Sequence, residues 1–294
     1  MSKNSSHIQV QNLSFAYEEK LVLDDLTFSI PKGKITTIMG ANGSGKSTLL
    51  QLLTKNLPLK QGQVWLEQEE LATISLKAFA KKVAVVHQYH QVVEGLLVGE
   101  LVAMARLARR SFFKTTTKED EERLAWALEV TALSDYVYRD LQHLSGGEQQ
   151  RVWIAMALAQ DTDIIFLDEP TTYLDIKYQL DILKLITKIN QELGLTIVLV
   201  LHDINQALSL SDHLIGLKDG RLYAQGQPRD LLDQQFIRDV FGVELPFVER
   251  NGQQFVLTSL VNETNDIRTQ RRDRNKNRRW KQKIQYQGEK GKDC

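Results

Sequence analysis

The chain has a single cysteine in 294 residues, and it is the last one, Cys294. No disulfide can form within the chain, which suits a reducing compartment. Long apolar runs are missing as well. The best, Leu195 to Leu201, is far shorter than the roughly 20 residues that a membrane-crossing helix needs. The opening MSKNSSHIQV is polar and holds no apolar block of the kind a secretion signal carries. Any membrane role is therefore expected to pass through a partner. An excess of either charge is missing too: 37 basic and 37 acidic residues cancel to a formal zero. The balance is uneven along the chain. From Asp266 to Cys294 there are eleven Lys or Arg against four Asp or Glu, so this tail carries +7 and the remainder −7. An acidic body without clustered aromatics argues against nucleic acid as the main ligand. No internal repeat is present.

What remains is the mixture of an ordinary globule, 42% hydrophobic and 25% charged, with room for one large α/β domain or two small ones. Ile8 to Leu13 alternates like an edge strand. Leu26 to Ile30 alternates too and stops at the turn signals Pro31 and Gly33. Ile35 to Met39 is a β-branched run that meets glycine at once, so it reads as a central strand feeding a loop, with a helix from Lys46 to Thr54 behind it. Val83 to Val86 predicts another buried strand. The stretch from about Glu94 to Ala159 changes to helical spacing. Thr116 and Glu119 form a capping-box pattern there, ahead of Leu124, Ala127, Leu128 and Thr131. Ile164 to Leu167 and Thr196 to Leu201 return to strands. The pattern weakens from Asn251, and past Asp266 the composition is that of a disordered segment.

Three motifs carry chemistry, and their order matters more than any one of them. Gly40-Ala41-Asn42-Gly43-Ser44-Gly45-Lys46-Ser47-Thr48 follows the first central strand. Glycines there let successive backbone N–H groups converge on phosphate oxygens, and the helix N-terminus adds a favourable dipole. Lys46 can reach the β- and γ-phosphates, and the Ser47 hydroxyl can ligate Mg²⁺. Asp168 and Glu169 follow four apolar residues, which places two carboxylates at a strand end beside the crevice where α/β sheets bind ligands. Asp168 would hold Mg²⁺ through water, and Glu169 would orient and polarise the attacking water. Between them, at residues 144–151, the chain reads LSGGEQQR. Ser145, Gly146 and Gly147 open a helix and make a second anion site. Asp168 lies 21 residues beyond Gly147. One nucleotide does not need two γ-phosphate sites in one chain, so two copies are expected to meet head to tail, each closing the other's ATP.

These motifs in this order resemble an ATP-binding-cassette (ABC) ATPase, over roughly residues 6 to 248. The resemblance implies an α/β P-loop NTPase with a RecA-like core, an antiparallel β subdomain and a helical subdomain. It implies an ATPase domain over 1–250, with its core in 1–90 and 156–250 and its helical part in about 91–155, ahead of a basic tail at 251–294. It adds Gln88 as the glutamine that touches the metal and senses the partner, and His202 as the switch histidine at the γ-phosphate. Asp175 would sit at the dimer seam. Ser145, Gly146, Gly147 and Glu148 would belong to the ATP site of the second copy. Tyr17 would stack on adenine; the other reading is an aromatic packing inward from a strand.

EPTTYLDI (169–176), VLHDINQAL (200–208) and HLIGLKDGRLYAQG (213–226) look like the importers of iron–siderophore complexes, haem and vitamin B12. That resemblance implies a homodimer on the cytoplasmic face of the membrane, under separate integral-membrane permease subunits. An extracellular or periplasmic substrate-binding protein would act indirectly, and the cofactors would be ATP and Mg²⁺. The alternative is a soluble cassette ATPase without a permease, such as one serving iron–sulfur cluster assembly. Val92 to Phe113 lacks the Arg-Tyr-Pro-type segment of close relatives, and the basic tail has no counterpart in the family core. Two readings of the tail stay open, a solvated extension or a segment drawn to anionic lipid.

Overall fold

The computed structural model describes residues 6–88, 93–109, 117–251 and 253–258. The chain divides after Val256 into two units, and the second lies almost entirely outside the described residues.

β1 (Ser6–Tyr17) and β2 (Lys20–Pro31) form a long hairpin. β3 (Ile35–Gly40) then enters a second sheet and feeds α1 (Lys46–Leu53). β4 (Gln61–Leu66) and β5 (Glu69–Glu70) return to the first sheet, which is antiparallel in the order β2-β1-β4-β5. β1 therefore lies inside this sheet and is no edge strand. Its alternation comes from facing solvent on one side: Gln9 and Gln11 are exposed while Val10 is buried.

After α2 (Leu76–Phe79) and β6 (Val83–Val86) comes the expected helical stretch, with α3 (Val98–Met104), α4 (Lys118–Val130) and α5 (Gly146–Ala159). The capping box sits one residue later than the sequence pattern suggests. Thr117 accepts from the Asp120 N–H and its own N–H donates to the Asp120 carboxylate, each at 3.2 Å. Asp120 thereby serves both as cap and as the close ion-pair partner of Arg106 at 2.7 Å, whereas the exposed Glu119 stands 3.9 Å from Arg106. Thr116 lies outside the described residues. An expected boundary near residue 155 falls within α5.

The second half alternates: β7 (Ile164–Asp168), α6 (Ile176–Leu193), β8 (Thr196–Val200), α7 (Ile204–Leu210), β9 (His213–Lys218), β10 (Arg221–Gly226), α8 (Pro228–Leu231) and α9 (Gln234–Phe241). The second sheet runs β10-β9-β3-β8-β7-β6, parallel except for β10. Its parallel strands are buried on both faces, which is why they read as continuous apolar runs, while β10 at the edge is exposed or half-buried throughout. Ile164 and Phe166 point toward the antiparallel sheet and α1, while Ile165 and Leu167 point toward the helices. Truncating Phe166, which is 0% exposed, should cost about 3–5 kcal/mol.

The stretch past Asn251 holds more structure than its composition suggests. β11 (Phe247–Arg250) and β12 (Gln253–Val256) form a hairpin. The Asn205 side chain on α7 pairs with both backbone groups of Val256, at 2.7 and 2.9 Å. The tail from Asp266 lies outside the described residues.

Candidate functional site

β3, β7 and β8 are adjacent and parallel, with Ile38 opposite Val200 and Asp168 opposite Val200. Their carboxyl ends therefore deliver the Gly40 loop, the Asp168–Glu169 pair and His202 to one place, as open α/β sheets do at a crevice. A cleft of about 770 Å³ opens there. Tyr17, Asn42, Gly43, Gly45, Lys46, Ser47, Thr48, Glu169 and His202 line it. A larger cleft of about 1060 Å³ lies at the opposite, amino ends of β3 and β9, against Ile35 and His213. None of the motifs falls there, and amino ends are not where such sheets collect ligands.

Two glycines of the loop are required by space. A Cβ on Gly40 would stand 2.4 Å from the Leu217 carbonyl and from Ser44 Oγ, and one on Gly45 (φ +97°) would meet Leu23 at 2.4 Å. The loop thus keeps its backbone against the sheet and leaves its amide edge toward the cleft. The Lys46 ammonium, mostly buried, donates to the Gly40 and Ala41 carbonyls, each at 2.9 Å. Burial lowers its pKa, opposed by the charges of Glu169 and Asp168.

Glu169 has φ +49°, the left-handed region that a glutamate rarely adopts. A tight turn holds it there, with the Thr172 N–H donating to its carbonyl at 3.2 Å. Its carboxylate takes the Gln88 amide at 2.6 Å and the Thr172 hydroxyl at 3.1 Å on Oε2, while His202 Nε2 lies 2.5 Å from Oε1. Two of the sequence candidates, Gln88 and His202, are therefore in direct contact with a third, Glu169. Asp168 is different: its Oδ1 is buried without a hydrogen-bond partner among the described residues. Burial first, and then the charge of Glu169, push its carboxyl up, against weaker pulls from His87, His202 and Lys46. A buried, unpaired carboxylate oxygen one residue before Glu169, near the Lys46 ammonium and with the Ser47 hydroxyl in the same cleft, fits a small hard cation.

Tyr17 is 44% exposed at the end of β1, packs edge-on against Phe15 at 4.9 Å and donates to Gln51 at 3.3 Å. Its ring lines the cleft rather than the core.

The second set of candidates is elsewhere. Ser145 caps α5: the Glu148 carboxylate accepts from the Ser145 N–H and hydroxyl, both at 2.8 Å, and from Tyr136 at 3.0 Å. The bonds from Ser145 hold the Glu148 carboxyl below its usual range. A Cβ on Gly147 would stand 2.2 Å from the Tyr178 ring, and one on Gly146 would lie 3.5 Å from Leu174. Asp175 caps α6 through the Tyr178 N–H at 3.0 Å. The LSGGEQQR turn and the Asp175 turn thus sit on one another. None of Ser145, Gly146, Gly147, Glu148 or Asp175 is among the described residues that line the cleft.

Sequence reasoning passed over Thr172, which reaches the carboxylate through three residues of turn. It also passed over Asp219 and Gly220, which line the cleft beside Val22 from the β9–β10 turn. The Asp-Gly pair signals a hairpin turn, but nothing local says that the Gly220 carbonyl will accept from the Asp24 N–H at 2.9 Å and bring that turn to the loop.

Among known proteins, residues 23–172 match the model of the ABC transporter family. The petrobactin import ATP-binding protein FpuD of Bacillus anthracis is 41% identical over 81% of this chain and 87% of its own length. The iron(3+)-hydroxamate import ATP-binding protein FhuC of Bacillus subtilis is 40% identical over 82% of this chain and 90% of its own. Among solved structures, a dimeric ATP-binding cassette in a post-hydrolysis state, bound to ADP and Pi, superposes with a TM-score of 0.65. It is 30% identical and covers 76% of this chain and 99% of that one.

Proposed function

Since this chain belongs to the ABC transporter family, as one of its ATP-hydrolysing subunits, we propose that it drives import of an iron complex, a ferric siderophore, as a homodimer beneath separate integral-membrane permease subunits. The importer reading rests on the petrobactin and iron(3+)-hydroxamate import relatives, and the observation that carries the homodimer is the split in the site. One cleft holds the phosphate loop, Glu169 and His202, with Asp168 at the strand end just before Glu169, while Ser145, Gly146 and Gly147 lie outside it on a helix N-terminus of their own. No helix among the described residues is long and apolar enough to cross a membrane. In this reading the ATPase sits peripherally on the cytoplasmic face, and an extracellular or periplasmic binding protein meets only the permease.

Adenine stacks on Tyr17. The triphosphate takes the backbone N–H groups of Asn42 to Thr48 and the positive end of α1. Lys46 exchanges its two loop carbonyls for phosphate oxygens. Ser47, Asp168 and Gln88 would hold Mg²⁺, which when bound neutralises charge on the phosphates. Glu169 accepts a proton from water as the water oxygen bonds to the γ-phosphorus. The bond from phosphorus to the β,γ-bridging oxygen breaks, and ADP keeps that electron pair. His202 orients the Glu169 carboxylate through Oε1 and meets the γ-phosphate. Ser145, Gly146, Gly147 and Glu148 of the second copy complete the phosphate shell, with Asp175 at the seam. Closing on ATP and reopening after hydrolysis moves the permease.

The test is uptake of radioactive iron supplied as a ferric siderophore, in cells with and without this gene. Uptake should be lost without it, return with the wild type and stay lost with Glu169→Gln. Unchanged uptake in the absence of the gene would contradict the iron assignment.

A further inference from the structure

The turn that carries Glu169 is held by side chains that the motifs do not include. Thr171, 6% exposed, donates its hydroxyl to Gln206 Oε1 at 2.9 Å. Gln206 Nε2 donates to Gln179 Oε1 at 3.1 Å. Gln179 Nε2 donates to the Leu174 carbonyl at 2.9 Å. Every bond in this chain runs in one direction, and it starts and ends on the same turn, at Thr171 and Leu174. Each glutamine uses both its acceptor and its donor, so neither can be replaced without opening the circuit.

Each member also belongs to an element with a part in the site. Gln206 lies on the first turn of α7, four residues after His202, with its own N–H on the Asp203 cap at 2.9 Å. Gln179 lies on the first turn of α6, four residues after the Asp175 cap. Inside the stapled turn, Thr172 donates to the Glu169 carboxylate, and Tyr173 takes φ +64° with its side chain exposed. Leu174, at the far end, is the side chain that a Cβ on Gly146 would approach at 3.5 Å. One circuit thus joins the helix that follows His202, the Glu169 turn and the Asp175 turn that lies against the LSGGEQQR helix.

We propose that Gln206 and Gln179 are positioning residues for hydrolysis: together they clamp the Thr171–Leu174 turn between α6 and α7, so that Glu169 and His202 move as one body with the seam where the second copy closes. This rests on the reading of Glu169 as the group that activates water. Neither glutamine lines the nucleotide cleft, so ATP binding to the open form does not depend on them, whereas the geometry of the carboxylate does. Displacements well under an ångström at a reacting group are enough to slow a reaction severalfold.

The experiment uses the full-length chain and measures single-turnover ATP hydrolysis, equilibrium ATP binding and thermal unfolding. The variants are Gln206→Ala, Gln179→Ala and the double substitution, with Gln206→Glu as a shape-conserving control. Gln206→Glu keeps the acceptor for Thr171 and removes the donor to Gln179. Each single alanine variant is expected to lower the hydrolysis rate about tenfold, with the ATP dissociation constant within twofold of wild type. The double variant is expected to be no slower than the slower single, because opening the circuit once opens it entirely. Gln206→Glu is expected to match the alanine variants in rate while unfolding at the wild-type temperature. Rates that stay at the wild-type value would overturn the proposal. So would single effects that multiply in the double variant, or rate losses mirrored by equal losses in ATP binding. Glu169→Gln is run alongside: if it hydrolysed ATP at the wild-type rate, the role given to Glu169 would fail, whatever the glutamine variants did.

Discussion

The end of β7 beside the nucleotide cleft holds a half-buried aspartate and the base of the helical stretch a buried one, and the two carboxylates live under opposite conditions. At the base of the helices, Asp120 receives the Arg106 Nε at 2.7 Å and caps α4, and Arg106 also donates to the Ala159 carbonyl at 3.1 Å. Arg109 adds a bond to the Gln160 carbonyl at 2.9 Å, so two guanidiniums sit on the carbonyl end of α5, where positive charge is favoured. Beside the cleft, Asp168 Oδ1 has no hydrogen-bond partner among the described residues, and the Lys46 ammonium is occupied by its own loop. Buried with partners, the Asp120 carboxylate is structural. Asp168 Oδ1 is the one carboxylate oxygen among the described residues that is buried without a partner, which fits a place where a ligand supplies it.

The comparison can be broken most strongly at Glu169, whose contacts with Gln88, Thr172 and His202 have no counterpart at the scaffold pair. Glu169→Gln should slow hydrolysis by about 10²–10³-fold while ATP binding is kept, as expected when a proton acceptor is removed from an intact site. Rapid turnover by this protein, measured as phosphate release, would contradict its role. The next effect is on stability. Asp120→Ala leaves the 4% exposed Arg106 side chain with the Ala159 carbonyl and a Glu119 oxygen 3.9 Å away, and should cost about 3 kcal/mol in denaturant unfolding. Asp168→Asn should go the other way, raising the stability of the nucleotide-free chain by about 1 kcal/mol while abolishing the extra stabilisation by Mg²⁺ and ATP. A loss of stability comparable with that of Asp120→Ala would erase the contrast between the two regions.

The smallest effect is on pH dependence, and its two halves have opposite sign. Burial pushes the Asp120 carboxyl up, but the bonds from Arg106 and Thr117 outweigh it and bring it to about 2, below the usual 3.8. Its contribution is therefore full above pH 3.8 and lost as pH falls toward about 2. Asp168 is raised, so it favours the folded chain below pH 3.8 and gives that advantage up as pH climbs from there through its raised value. In unfolding midpoints read against pH, Asp120→Asn should flatten the fall toward pH 2 and Asp168→Asn the fall above about pH 4. Identical profiles for the two variants would show that the two carboxylates are not differently held.

How far the sequence could be read follows from which forces were local. The buried parallel strands were legible because both faces are covered, which turns Ile164 to Leu167 into an unbroken apolar run. The phosphate loop was legible because its glycines answer to backbone approach, here 2.4 Å to a carbonyl at Gly40. Legibility failed where a side chain had two competing duties. Thr117 rather than Thr116 caps α4 because Asp120 must also face Arg106, a partner that no window of sequence around the helix displays. It failed again wherever the partner is distant in sequence: Gln206 to Thr171, Asn205 to Val256, Gly220 to Asp24. Gln88, Glu169 and His202 are as far apart, and composition and spacing alone did not join them. The resemblance to a family assigned them to one site, and in the structure Gln88 and His202 lie 2.6 and 2.5 Å from the Glu169 carboxylate.

The central claim is that one chain holds half of each ATP site. The most direct test is the mass in solution of the Glu169→Gln protein, measured by light scattering with ATP and with ADP, alone and with Ser145→Ala added. Twice the single-chain mass with ATP, the single-chain mass with ADP, and no ATP-driven doubling once Ser145 is replaced is the result this account predicts. A protein that stays at the single-chain mass with saturating ATP, while the wild type at the same concentration still hydrolyses it, would contradict the account.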